Sequence, residues 1–583
     1  MRSPFFLFFP LLTVASCNSL LSRAACSGNT ATTRSQWCDF SIDTNWYDEV
    51  PDTGVVREYF FDLEQVTASP DGFARTVYAF NGVVPGPTIE ADWGDTVVIH
   101  VSNNLTLAQN GTSIHFHGIR QNYTNEMDGV TAVTQCPLHA GGSMTYTWRA
   151  TQYGTSWYHS HIGLQAWDGA AGAILINGPA TANYDVDVGT ILLADWTHRT
   201  ADELYTSALT SGPPFLTNGL INGTNTWNNS GTVVGHRFNA SFTAGKTHRL
   251  RLINGALDTH FKFTIDNHTM TVIAADFVPI VPYQTTVLDI GMGTSQLRQL
   301  TANETPANDV IQLGQRYDVV VSADQESVAE NFWLRALPQV ACSNSDNPDD
   351  IRGIIYYGSE PSTPSTSVWS YVDGCIDEPV ASLVPHVALS AGVQDQSDLE
   401  QVSLLPTDNV VLWALNNTSF YADWQNPTLL QLYNNATNYT TRSHVISLDE
   451  ADKWVYVIIE AQNAVPHPIH LHGHDFSLVA QGSGSFDAAT DLFDLTNPMR
   501  RDVAMLPGSG HLVLAFKTDN PGAWLMHCHI GWHTNMGLAL QFVERLEEAR
   551  GLINYEFLNN TCANWGEYTA LATLEQGIYD DGI

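Results

Sequence analysis

Apolar residues along this chain come in short bursts, not in long helical stripes. Runs at 96–101, 189–194, 249–253, 317–321, 454–459 and 511–516 are short, apolar and rich in Val, Ile and Leu, with Gly, Pro and Asn between them. Many short strands with turn signals at modest spacing predict β-sandwiches, and helical periodicity is scarce, so an all-β fold is expected. A chain of 583 residues exceeds one ordinary core. A Ser/Thr/Pro stretch at 360–367 predicts one seam, and Gly178-Pro179 predicts another. The expected division is a leader over 1–25 and domains over 26–178, 179–367 and 368–583.

Composition changes this picture little. Hydrophobic residues make up 44% and charged ones only 14%, a globular balance that excludes a disordered chain. Charge changes more. With 24 Lys+Arg against 60 Asp+Glu the net charge is −36, which excludes a nucleic-acid partner and predicts an acid-tolerant surface. Arg2, the apolar stretch 5–15 and small residues through Ala24 and Ala25 form a signal-peptide pattern, too short to span a bilayer. Sequons at Asn104, Asn110, Asn122, Asn222, Asn239, Asn303 and Asn435, among others, agree with secretion. A secreted monomer without a membrane anchor is expected.

Of the eight cysteines, Cys17 falls in the leader and seven remain, an odd number that asks for a reason. Cys528, between two histidines, is the candidate metal thiolate. The other six allow fifteen pairings. Cys26–Cys38 and Cys342–Cys375 are the local choices, leaving Cys136–Cys562 as a long-range link.

Ten of the 21 histidines lie in four segments: His115/His117, His159/His161, His467/His470/His472 and His527/His529/His533. Residues i and i+2 of a strand face one way, so each His-x-His aims two imidazoles at one point. Four such pairs supply eight imidazoles, more than one ion accepts, so a metal cluster is implied. Cys528 points to the other side of its strand, toward His533 and His467. Two His and one Cys suit a blue-copper site that passes single electrons, whereas zinc has no redox chemistry. The segments also echo one another: His115-Phe116-His117-Gly118 matches His470-Leu471-His472-Gly473. Gly154 and Gly522 each stand five residues before a His-x-His with a Trp between. The first and last thirds therefore look like copies of one unit, and the middle third lacks the motif.

These four segments resemble the copper motifs of the multicopper oxidases over nearly the whole mature chain, and within that family the chain is similar to ascomycete laccases. The resemblance implies three cupredoxin-like Greek-key β-sandwich domains and four coppers. It assigns type 1 copper to His467, Cys528 and His533, type 2 to His115 and His470, and the type 3 pair to His117, His159, His161, His472, His527 and His529. The axial position falls on Leu538, a non-ligand, which fits a high-potential laccase. Asp258 matches an acid of the phenol pocket that accepts the phenolic proton. Asp128 matches an acid near type 2 copper, and Trp532, Pro213 and Pro214 match pocket walls. The ending Asp580-Asp581-Gly582-Ile583 is similar to a C-terminal plug, with Asp581 in place of the usual Ser. The implied substrates are small phenols, lignin fragments among them, and dioxygen. Ascorbate oxidase, ferroxidase and pigment-forming phenol oxidase are the alternatives within the family. A copper store or electron carrier is the alternative outside it, and a carrier has no use for eight further histidines.

Overall fold

The computed structural model describes residues 27–106, 111–290, 314–375, 377–407, 410–435 and 438–571. The leader, Cys26, Asn110, Asn303 and the C-terminal plug lie outside them.

The all-β expectation is met by three two-sheet units. In the first, strands 75–80, 56–68, 96–103 and 143–149 lie side by side, and the second sheet orders 86–92, 171–177, 154–160 and 114–116. The middle unit has sheets of six and five strands within 186–356, and so does the last within 396–544. The alternating burial of Thr96–Asn103 shows why such a segment is a strand: every second side chain enters the core.

All three units open alike. A long strand pairs in parallel with a later one (56–68 with 96–103, 186–196 with 247–254, 396–407 with 454–461) and antiparallel with its successor. Each successor ends on a left-handed asparagine: Asn81 (φ 55°), Asn222 (φ 47°) or Asn416 (φ 46°). Each of these side chains bridges the main chain of the long strand. Asn81 takes the N–H of Asp62 and donates to Phe60, Asn222 does so with Leu192 and Thr190, and Asn416 with Gln401 and Leu399. Asparagine suits the spot because its short amide tolerates positive φ and completes the turn's hydrogen bonds. The middle unit thus carries the internal repeat too, in its backbone rather than in histidines.

The connection from 357 to 395 stays with the middle unit through residue 378 and joins the last unit by residues 389–395, where the Ala391 N–H donates to Leu495 and the Asp395 N–H to Trp454. Thr366 bonds Asp266, Cys375 is bridged to Cys342, and Glu378 accepts the N–H of Asp289. The expected boundary at 367/368 falls inside this packed segment.

Two apolar cores cross the seams. One runs through the middle and last sandwiches, and the other joins the first sandwich to Ala523, Leu525 and the C-terminal helix. That helix, Tyr555–Leu571, was not expected. Only Leu558, Trp565 and Tyr568 form its buried stripe, a thin signal within a polar segment. Cys562 fastens it to Cys136 in the first sandwich. Cys38 is also disulfide-bonded. Among the described residues Cys528 is the free cysteine, and no helix is long and apolar enough to cross a membrane.

Candidate metal centres

The histidine pairs sit where two matching sheets end. His115 is the cross-strand partner of His159, and His470 is that of His527. The second member of each pair (His117, His161, His472, His529) follows directly after its strand, so the two sheet ends face each other across the seam of the first and last sandwiches. Three buried groups result, each with ligand atoms within 4.8 Å of one another: His115/His117/His470, His117/His159/His529 and His161/His472/His527. All eight expected cluster histidines are therefore brought together.

Burial, reinforced by neighbouring imidazoles, pushes His117, His161, His470, His472 and His529 well below the ordinary histidine range. Burial also leads the downward shift of His159, and it holds His527 at about 4. These rings are neutral near pH 7, the form that binds metals. Nε2 of His115, His159 and His470, Nδ1 of His117 and His161, and both nitrogens of His529 are buried without a hydrogen-bond partner. Each such orphan costs about 1–3 kcal/mol. Clustered neutral imidazoles with inward-facing lone nitrogens fit a set of metal ions.

Partners outside the cluster orient the rings. Asp128 Oδ2 lies 2.9 Å from Nδ1 of His472, and the Asp128 carbonyl lies 2.8 Å from Nδ1 of His115. Asp502 matches this on the other side: its carbonyl is 2.8 Å from Nδ1 of His470 and its Oδ1 is 3.2 Å from Nε2 of His117. Arg316 of the middle sandwich grips the Asp502 carboxylate with both terminal nitrogens, at 2.5 and 2.6 Å. His474 pairs with Glu544 at 3.0 Å and stands outside these groups.

A fourth group lies on the opposite face of the same strand. Cys528 pairs in register with Ile469, one step from the His470–His527 pair, so its Sγ points away from the cluster. Sγ is 3.8 Å from Nδ1 of His467 and 3.6 Å from Nδ1 of His533, and those two nitrogens are 3.1 Å apart. His533 rides on the short helix Gly531–Asn535. A Cβ at Gly531 would fall 2.3 Å from Leu257 and 2.5 Å from Trp167, so only glycine lets this turn reach the middle and first sandwiches. The Cys528 N–H donates to the carbonyl of Leu538, whose fully buried side chain belongs to the same apolar core as Cys528. The Met536 carbonyl instead accepts from Trp413.

Asp258 lies in the turn after strand 247–254, 1% exposed. Burial and then the nearby Asp195 carboxylate push its pKa well above the usual range, weakly opposed by the Trp532 indole. Neither oxygen of Asp258 has a hydrogen-bond partner. Pro213 and Pro214 sit half-buried on the turn after the helix Ala201–Ser211.

Multicopper oxidase family models match residues 62–181, 187–308 and 405–548. Laccase-2 of Botryotinia fuckeliana is 48% identical over 96% of this chain and 94% of its own length. The crystal structure of the laccase from Botrytis aclada superposes with a TM-score of 0.87 at 46% identity, covering 96% of this chain and all of that one. Fet3p, a multicopper oxidase that functions in iron import, superposes with a TM-score of 0.76 at 26% identity, covering 88% of this chain and 95% of that one.

The chain belongs to the multicopper oxidases. Multicopper oxidases of the laccase type carry four coppers, one type 1, one type 2 and a type 3 pair, and this one is an oxidoreductase of that kind. Several residues of this multicopper oxidase escaped the sequence reading. Trp413 packs on both His467 and His533, with ring centroids 4.6 and 4.4 Å away. Asp502 and Arg316 brace the cluster. The one available signal was the charged triplet Arg500-Arg501-Asp502 set directly before the apolar strand Val503–Leu506.

Proposed function

We propose that this multicopper oxidase removes single electrons from phenols beside His467, Cys528 and His533 and spends four of them on reducing dioxygen to two waters. When bound, the four coppers supply the redox chemistry, accepting electrons one at a time and delivering them together. Four phenols lose four electrons and four protons, and one dioxygen takes up both sets.

The chain's own residues divide the remaining work. His467, Cys528 and His533 would hold the type 1 ion, and the neighbouring Leu538 offers it no donor atom, a setting that would favour a high potential. His115 and His470 would hold type 2, and His117, His159, His161, His472, His527 and His529 would hold the type 3 pair. Asp258 accepts the phenolic proton as the electron leaves, between walls supplied by Trp532, Pro213 and Pro214. Asp128 fixes the rings of His115 and His472 and is placed to relay protons to the oxygen side.

One observation carries this reading. Cys528 faces one site while its chain neighbours His527 and His529 face the other, so a covalent path of one residue joins donor and acceptor sites. The near-neutral buried histidines and the sequence kinship to laccases support it. The leader pattern, the sequons and the disulfides support a secreted, glycosylated monomer acting on small phenols, with lignin-derived ones suited to its chemistry.

Oxygen uptake with a methoxyphenol, ascorbate and ferrous iron tests the proposal. Fastest uptake with the phenol is expected. A preference for ferrous iron at low micromolar concentration would move the chain to the iron-oxidising branch, and no uptake with any donor would leave an electron carrier.

A further inference from the structure

The turn that carries Asp258 is held from all three sandwiches. The Trp167 indole of the first donates to the Ala256 carbonyl at 2.8 Å. The Gly531 N–H of the last donates to Leu257 at 3.1 Å. Within the middle sandwich, Asn254 takes the Ala256 N–H at 3.1 Å and Ser343 Oγ takes the His260 N–H at 2.8 Å. Three consecutive N–H groups remain, those of Leu257, Asp258 and Thr259. All three donate to one carboxylate, that of Asp195 at the end of strand Val186–Trp196, at 2.7, 2.8 and 3.0 Å.

We infer that Asp195 is the positioning residue for Asp258: by collecting three successive backbone N–H groups it fixes the direction in which the Asp258 carboxyl meets the phenol. This rests on the reading of Asp258 as acceptor of the phenolic proton. The chemistry at Asp195 requires an acceptor-only group. Oδ1 serves Leu257 while Oδ2 serves Asp258 and Thr259, and an amide would turn a donor against one of those sides. Asp195 is 6% exposed and its burial is costly, a cost offset by these charge-assisted bonds. Its negative charge also raises the affinity of Asp258 for a proton. A carboxyl misdirected by a fraction of an ångström to an ångström loses much of its value in proton transfer, on the order of a hundredfold at the upper end.

The test compares Asp195→Asn, Asp258→Asn and the double variant as copper-loaded protein, with a phenol and with a non-phenolic one-electron donor that releases no proton. Asp195→Asn is expected to lower kcat/KM for the phenol roughly ten- to a hundredfold. It should leave the other donor within about twofold and the blue absorption unchanged. Because Asp195 acts through Asp258, the double variant should be no worse than Asp258→Asn alone. Asp195→Glu, which keeps the charge but displaces it, should reproduce the phenol-selective loss and serves where Asp195→Asn does not fold. Equal losses on both donors in Asp258→Asn would remove the proton-acceptor reading and this inference with it. A phenol-selective Asp258→Asn beside an unselective Asp195→Asn, or fully multiplying losses in the double variant, would overturn the inference alone. Failure of both Asp195 variants to give blue protein would likewise overturn it, by making Asp195 a fold-holding residue.

Discussion

The cysteine site and the histidine cluster share two chain segments yet are built on different scales. His467, Cys528, His533 and the covering Trp413 all belong to the last sandwich, so one domain's register is enough to assemble that trio. The cluster takes four histidines from the first sandwich and four from the last, and Arg316 of the middle one braces it through Asp502. A site within one sandwich depends on local pairing; a site across a seam exists only when the domains dock. On the proposed function the electron-accepting site is thus local, while the site proposed for dioxygen is enclosed by several domains.

Cys528→Ser breaks the comparison hardest. It should abolish the blue absorption and lower turnover with any donor by roughly a thousandfold or more, while copper analysis still finds the three cluster ions. Retained blue colour would contradict the trio.

Asp128→Asn strikes the other side. It keeps the main-chain carbonyl that His115 uses but leaves a single side-chain acceptor oxygen where the carboxylate now serves both His472 and His115. Turnover should fall roughly ten- to a hundredfold, equally for phenolic and non-phenolic donors, with the blue absorption intact. A loss confined to phenols would tie Asp128 to the substrate side instead.

The smallest effect concerns the connector between the middle and last sandwiches, which supplies no histidine or cysteine to either site. Glu378 fastens the connector to the middle sandwich, accepting from Tyr283 and from the Asp289 N–H, and burial followed by the Asp289 charge raises its pKa to about 7. A carboxyl whose folded pKa is raised binds its proton more tightly folded than unfolded. The stability it contributes is therefore full below the ordinary glutamate range and is lost as pH rises through about 7. Glu378→Gln should flatten the fall of the thermal midpoint between about pH 5 and 8 by a few degrees, without altering the blue absorption. An unchanged slope would show that Glu378 titrates normally.

The histidines and Cys528 were legible because strand periodicity converts spacing of two into shared direction, a rule that needs no knowledge of the fold. The middle sandwich was less legible. Its kinship to the others lies in Asn222 and a parallel strand pairing, and Asn-Gly by itself signals only a turn. Asp502 could not be found from spacing, since its contact with His117 spans 385 residues and its pair with Arg316 spans 186. Asp195 meets Leu257 across 62 residues, with no motif to mark either end.

By itself, then, the amino-acid order determined which side chains can bind metal and on which face of a strand each one stands, because alternation along an extended chain is a local property. Tertiary structure alone decided that two pairs from each end meet in a dry cleft, that Asp128, Asp502 and Arg316 hold them there, and that Asp258 is aimed by Asp195. These depend on domain docking and on burial, which strips water from the imidazoles and carboxyls and sets their charge.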